Sequence, residues 1–243
     1  DTASILYHKG IHPLLLAPRI SSLRVPASTI SFDFAGVFYQ LCQYLHYAGR
    51  SRIALFGINA NSQNDITKKN AFTNFQTDYK IGKGDTGVFW NNGNLEQCCK
   101  ELHSQLSTFN AVLCSNDIVA VKLINFFKKY GIRVPDDVYI ATMGNTALSR
   151  FITPDITICD FDCIKITNLS AFLARNDDIT SLNASVGGKI IPRESTNLSP
   201  VTINEGPHET EEINKNINFY SDSDVDRIFR MEQLVSQSDA LDM

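Results

Sequence analysis

Between residues 53 and 143, short apolar runs alternate with stretches whose apolar residues recur every three or four positions. No other feature narrows the possible folds as much. A brief apolar run bounded by turn residues reads as a strand buried on both faces, and the three-to-four spacing reads as an amphipathic helix. Residues 52–56 (Arg-Ile-Ala-Leu-Phe) are the first strand, with Gly57 opening a polar loop over 58–67. A helix over about 68–75, a weak strand at 86–90 and a helix over 95–106 follow. Then come a strand at 111–114, a helix over 119–130 and a strand at 138–143. Strand and helix in strict alternation predict an α/β chain built on a doubly wound parallel sheet.

The flanks extend this pattern. Residues 13–17 and 28–32 read as strands, and residues 36–47 as a helix stopped by Gly49, as a glycine just past a helix commonly does. Residues 163–175 read as another helix, 175–183 as a polar run and 189–191 as a last short strand. Residues 197–221 have the composition of a linker. Residues 223–240 predict one more amphipathic helix, with Val225, Ile228, Phe229, Met231, Leu234 and Val235 as its apolar stripe.

Charge excludes one class of function. The net charge is −4, so the chain as a whole is not an electrostatic DNA binder. The charge is also uneven: residues 201–243 hold 10 acidic and 3 basic residues, net −7, which leaves +3 on the remainder. The acidic stretch reads as solvated surface or a partner-docking segment. No apolar run nears the roughly 20 residues that span a bilayer. The apolar stretch around Leu14-Leu15-Leu16 is too short for a signal-peptide core, and no basic region precedes it. Cys42, Cys98, Cys99, Cys114, Cys159 and Cys163 lie mostly on apolar patterns and are expected to be buried reduced thiols of a cytosolic protein. No zinc set forms around the four-residue spacing of Cys159 and Cys163, and no metal site is expected.

Catalytic wording is sparse. None of the histidines sits in a nucleophile-elbow context, and Ser195 lacks the flanking glycines of a nucleophile turn. Gly82-Lys83-Gly84-Asp85 is too short for a phosphate loop. Asp160 and Asp162 read as polar residues of a hinge, not as a paired acid and base. The expectation is a protein that is not an enzyme and carries no cofactor.

Several segments, in order, carry a more specific signal. Gly131-Ile132-Arg133-Val134-Pro135-Asp136-Asp137-Val138 follows Cys114-Ser115-Asn116-Asp117 and its helix, and precedes Thr153-Pro154-Asp155-Ile156-Thr157. Ile30-Ser31-Phe32-Asp33, Ala48-Gly49-Arg50 and Pro192-Arg193-Glu194-Ser195-Thr196 fall in matching order on either side. Together they resemble the effector-binding domain of the LacI/GalR family of transcription regulators, over residues 11–200. The resemblance implies a two-lobed periplasmic-binding-protein-like fold with doubly wound parallel sheets. The N-terminal lobe is expected to be incomplete, and the helix beyond residue 200 to be an addition. Residues 1–36 and 161–191 would form the partial N-terminal lobe, 37–160 and 192–200 the C-terminal lobe, and 201–243 the acidic linker and tail helix.

The resemblance also implies a function. A cytoplasmic homodimer would bind a small-molecule effector, a sugar, sugar phosphate or related compound, between its lobes. DNA would be bound only through a helix-turn-helix module absent from this chain. A solute-binding protein of a transporter is the alternative on the same fold. Carried over by position, the ligand-binding residues are Lys68, Trp90, Asn116, Gly144 and Asn145. Lys68 stands where the family has a ligand-gripping arginine; it keeps the charge and loses the planar two-pronged donor set. Asn116 offers an amide that both donates and accepts, and equally suits the N-cap of the following helix. Gly144 or Asn145 stands where many sugar-sensing members have an acid that clamps two hydroxyls, and neither can make that strong charge-assisted bond. Trp90 fits an aromatic platform or an ordinary core position. Deleting residues 221–243 should lower the oligomeric order measured by light scattering if the tail helix is an assembly device; an unchanged order would point to docking within the chain.

Overall fold

A computed structural model describes residues 2–16, 25–81, 86–146, 148–161, 163–175 and 182–197. Asp162, the Gly82–Asp85 stretch and the helix expected over 223–240 lie outside the described residues. In chain order the elements are α1 (Thr2–His8), β1 (Leu14–Leu16), β2 (Ser28–Phe32), α2 (Phe34–Tyr47), β3 (Ile53–Ile58) and α3 (Gln63–Asp78). Next come β4 (Val88–Trp90), α4 (Leu95–Ser104), β5 (Ala111–Cys114), α5 (Asp117–Lys129) and β6 (Tyr139–Met143). The series ends with α6 (Leu148–Phe151), β7 (Thr157–Phe161), α7 (Cys163–Arg175), β8 (Asn183–Val186) and β9 (Gly188–Ile191).

The predicted alternation over 53–143 is present, and it forms one side of a six-stranded sheet of order β4-β3-β5-β6-β7-β9. All pairings are parallel except β7 with β9. A second, three-stranded sheet of order β1-β2-β8 is wholly parallel. Strands β3 and β5 are buried along their whole length, which is why they read as continuous apolar runs. Leu102, Leu123, Ile124 and Phe127 from the covering helices pack on Ala54, Phe56, Val112 and Cys114 in one large core. The smaller sheet has its own core of Ile30, Leu173 and Val186.

Among the described residues the chain crosses between the sheets three times: after β2 into α2, after β7 into α7, and between β8 and β9. The third crossing comes earlier than the sequence placed it. Because Cys159 pairs with Ile190 and Phe161 with Gly188, the chain is back on the large sheet at Gly188, not at residue 192. A glycine is needed there, since a Cβ would stand 2.7 Å from Cys159 Sγ and 2.8 Å from the Asp160 carbonyl oxygen.

Three boundaries differ for physical reasons. Helix α3 begins at Gln63, inside the stretch read as a loop, because Ser62 Oγ accepts the Asp65 N–H and caps it. Helix α2 begins at Phe34, two residues early, because the Asp33 carboxylate accepts the Gly36 N–H at 2.8 Å. Strand β8 lies in a polar stretch and owes its conformation to β2, with the Thr29 hydroxyl donating to Asn183 Oδ1 at 2.7 Å.

Five of the six cysteines are buried, none of the six is in a disulfide, and Cys163 is exposed. Burial pushes the thiols of Cys98 and Cys159 up to about 12 and that of Cys99 up to about 11. Burial raises Cys42 and Cys114 as well. Since the thiolate is the reactive form, an aromatic disulfide reagent at neutral pH should modify one thiol quickly in the native protein, and the Cys163→Ser variant should abolish that phase. Several fast-reacting thiols would contradict this burial.

Candidate functional site

The strand order fixes where a site can form. From β3 the chain goes to β4 on one side, then returns past β3 to β5 on the other. Open α/β sheets bind ligands outside the carboxyl ends of strands at such a reversal. Here those ends are Ile58 of β3 and Cys114 of β5.

Lys68 sits at this point. It comes from the second turn of α3, and its side chain is only 7% exposed. Its ammonium donates to Asp65 Oδ1 at 2.8 Å and to the Ser115 carbonyl at 3.1 Å. On its remaining side lie the rings of Phe34 and Phe38, whose centroids are 5.4 and 5.5 Å away. Asp65 is held in turn, its second oxygen accepting the Asn59 N–H at 2.9 Å.

Contacts run from there along the strand ends. Ser115, the carbonyl partner of Lys68, is followed by Asn116, which is exposed. Asn116 Oδ1 accepts the Val119 N–H at 3.0 Å, so its side chain caps α5. The next residue, Asp117, is buried and accepts the Thr146 N–H at 2.9 Å, which fastens the loop after β6. Gly144 in that loop has φ +95°, a backbone that side chains disfavour, and a Cβ there would meet the Asp117 carboxylate at 3.4 Å. The local backbone therefore favours glycine at this position.

Asn145 is engaged on both ends. Its Nδ2 donates to Asp160 Oδ2 at 2.8 Å, and its Oδ1 accepts from Arg193 at 2.8 Å. Arg193 also donates to Ser149 Oγ and to the Ile156 carbonyl. Burial, and then the nearby Arg150 guanidinium, lower its pKa from the ordinary value, while Asp155 and Asp160 oppose them. Ser195 is buried and donates to the Ile140 carbonyl at 2.6 Å. The Arg-Glu-Ser-Thr segment is thus a structural tie beneath β6 and β7.

Lys68, Asn116, Gly144 and Asn145 therefore lie on one arc joined by contacts across the ends of β3, β5, β6 and β7. Trp90 ends β4, beside Ile58 in register. It lines a separate hollow of about 480 Å³ at the sheet edge, with Val88, Phe89, Asn92, Glu101 and Gln105. Sequence reasoning missed Asp65 and Asp117. It also missed three aromatic residues on the crossings, Phe32, Phe34 and Phe161. Their rings cluster, with centroids 4.6 Å apart for Phe32 and Phe161, 5.6 Å for Phe34 and Phe161 and 6.0 Å for Phe32 and Phe34. Among the described residues, no group of three His, Cys, Asp or Glu is placed to hold a metal ion. Nor is any helix there long and apolar enough to cross a membrane.

The family model described as periplasmic binding protein-like domain matches residues 42–196. The chain belongs to that family. Over 47 residues, 19% of this chain and 14% of the relative, it is 40% identical to the HTH-type transcriptional repressor PurR of Photobacterium profundum. A longer match, 22% identical over 175 residues, covers 69% of this chain and 53% of the NTD biosynthesis operon regulator NtdR of Bacillus subtilis (strain 168). Among solved structures it is similar to the LacI family transcriptional regulator CCPA of Weissella paramesenteroides with bound glucose. That likeness has a TM-score of 0.63 and 21% identity, and covers 79% of this chain and 71% of the other. These matches bear out the resemblance to LacI-type effector domains and the periplasmic-binding-protein-like fold. The two curated matches span 14% and 53% of the relatives' own lengths.

The Lys68–Asp65 pair should matter to stability because neither partner is well solvated. Asp65→Ala strands the buried ammonium and is expected to lower unfolding free energy by about 1–3 kcal/mol. Lys68→Met removes the charge along with its need for a partner and should cost less. Urea unfolding of both variants checks the order; a neutral Asp65→Ala would show that the pair is not holding this corner.

Proposed function

We propose that this chain is the ligand-sensing part of a LacI-type transcription regulator. A small molecule binds at the carboxyl ends of the strands, between the two sheets, and changes how the sheets sit about the three crossings. The observation that carries this reading is the arc from Asp65 and Lys68 through Asn116 and Asp117 to Asn145. It lies at the strand-order reversal and ends at Asp160, beside a crossing. Ligands shift such an equilibrium only by their differential affinity for its two states. A site beside the crossings makes contacts that change as the sheets reorient.

In this reading the chain acts as a cytoplasmic homodimer and not as an enzyme. DNA is bound through a helix-turn-helix module that lies outside this chain. Residues before α2 together with α7 and β8 form one lobe, and the large sheet with its helices forms the other. Asn116, Gly144 and Asn145 face the ligand, Lys68 holds the floor of the site, and Trp90 stands at its edge. The bound glucose of the Weissella protein supports a small-molecule effector. The regulators among the curated relatives leave the transporter alternative disfavoured.

A thermal-shift screen over sugars, sugar phosphates and nucleosides tests the proposal, because a ligand that binds only the folded state raises the melting temperature. At least one compound is expected to stabilise the protein, with binding weakened about tenfold, or about 1.4 kcal/mol, in Lys68→Ala and Asn116→Ala. If both variants bind as well as the parent, the site is elsewhere. If no compound stabilises the protein, the sensing role fails.

A further inference from the structure

A hollow of about 370 Å³ lies at the amino ends of the large sheet, away from the arc. Its walls include Arg50, Arg52, Ser107, Phe109, Asn110 and Asp137. Arg52 leads into β3, Asn110 into β5, and Asp137 stands just before β6. The arc lies at the other ends of these strands, the length of β3 away, which is roughly 20 Å for a strand of this length.

Two guanidiniums line this hollow without a carboxylate of their own. Among the described residues, neither Arg50 nor Arg52 is in an ion pair. Arg50 lies over the Tyr139 ring, 4.2 Å from its centroid. A guanidinium stacked on a ring keeps the N–H groups in its own plane for an acceptor. Arg52 is exposed, and Asn110 fixes its backbone from both sides. The Asn110 Oδ1 accepts the Arg52 N–H at 3.1 Å, and the Asn110 N–H donates to the Arg52 carbonyl at 2.9 Å. The one acid of the hollow is already satisfied. Asp137 Oδ1 accepts from the Arg133 guanidinium at 2.7 Å, and its Oδ2 accepts the Arg133 backbone N–H at 2.8 Å. Phe109, half-buried and edge-on to Phe89 with centroids 5.6 Å apart, supplies an apolar wall.

We infer that this hollow binds a small phosphomonoester, with its phosphate on Arg50 and Arg52 and its organic body against Phe109. Two guanidiniums call for more charge than one carboxylate brings, and a phosphomonoester brings nearly two negative charges and three acceptor oxygens. The planar guanidinium takes phosphate oxygens two at a time. Ser107 adds a hydroxyl donor. An anion at the arc would have to pull Lys68 from Asp65, whereas here no ion pair has to break.

Isothermal titration calorimetry of the full chain with phenyl phosphate, inorganic phosphate and phenol tests this second site. Phenyl phosphate is expected to bind most tightly, inorganic phosphate more weakly and phenol not at all. Arg50→Gln and Arg52→Gln should each weaken phenyl phosphate binding about tenfold, on the scale of one charge-assisted contact. Arg52→Lys keeps the charge without the two-pronged donor set and should lose less. Melting curves confirm that each variant folds. Hydrogen–deuterium exchange should show protection by phenyl phosphate in residues 50–53 and 106–110. Unchanged binding in both glutamine variants, or protection at 115–117 and 144–146 instead, would overturn the inference and put the anion at the arc. Absence of phenyl phosphate binding would overturn it as well. The sensing role is decided by the screen and the arc variants above, not by these results.

Discussion

The buried ammonium of Lys68 is the contact on which the rest of the site depends. It joins three elements that the chain supplies separately: α3 through Asp65, the end of β5 through Ser115, and the start of α2 through Phe34 and Phe38. A lysine buried this deeply is tolerated only with partners, because removing an ammonium from water is costly unless hydrogen bonds replace the lost hydration. Here a carboxylate, a carbonyl and two rings replace it. The same bonds hold Phe34 close to the strand reversal, and Phe34 begins the helix that follows the first crossing.

The backbone around the crossings is constrained in a compatible way. Gly188 lets the returning strand lie against Cys159 and Asp160, and Gly144 takes a left-handed backbone in front of Asp117. Asp33 caps α2 while its N–H bonds to Val186, so the first and third crossings are tied to each other. Phe32, Phe34 and Phe161 meet at the same place, on the first two crossings.

The large sheet was legible from the residues because its strands are buried on both faces and its helices carry regular apolar stripes. The family resemblance was legible from the order of short motifs, above all the run from Gly131 to Val138. Strand β8 was not, since Asn183-Ala184-Ser185-Val186 has little apolar signal and takes its form from a partner over 150 positions away. The polar run before Lys68 read as a loop because Asn, Ser and Asp serve loops and helix caps alike. Of the candidate site, Lys68, Asn116, Gly144 and Asn145 were reachable by position along the motifs. Their bonding was not, because Ser115, Asp160 and Arg193 reach Lys68 and Asn145 from distant parts of the chain. The aromatic cluster was invisible for the same reason: residues 32, 34 and 161 meet only once both sheets have formed.

Hydrogen–deuterium exchange with and without a saturating ligand measures the central claim most directly, that a small molecule binds at the strand ends between the sheets. Protection is predicted in residues 31–34, 58–66, 115–117, 144–146 and 160–161, on both sides of the crossings. Protection confined to residues 86–105, around Trp90 and the hollow at the sheet edge, would contradict it.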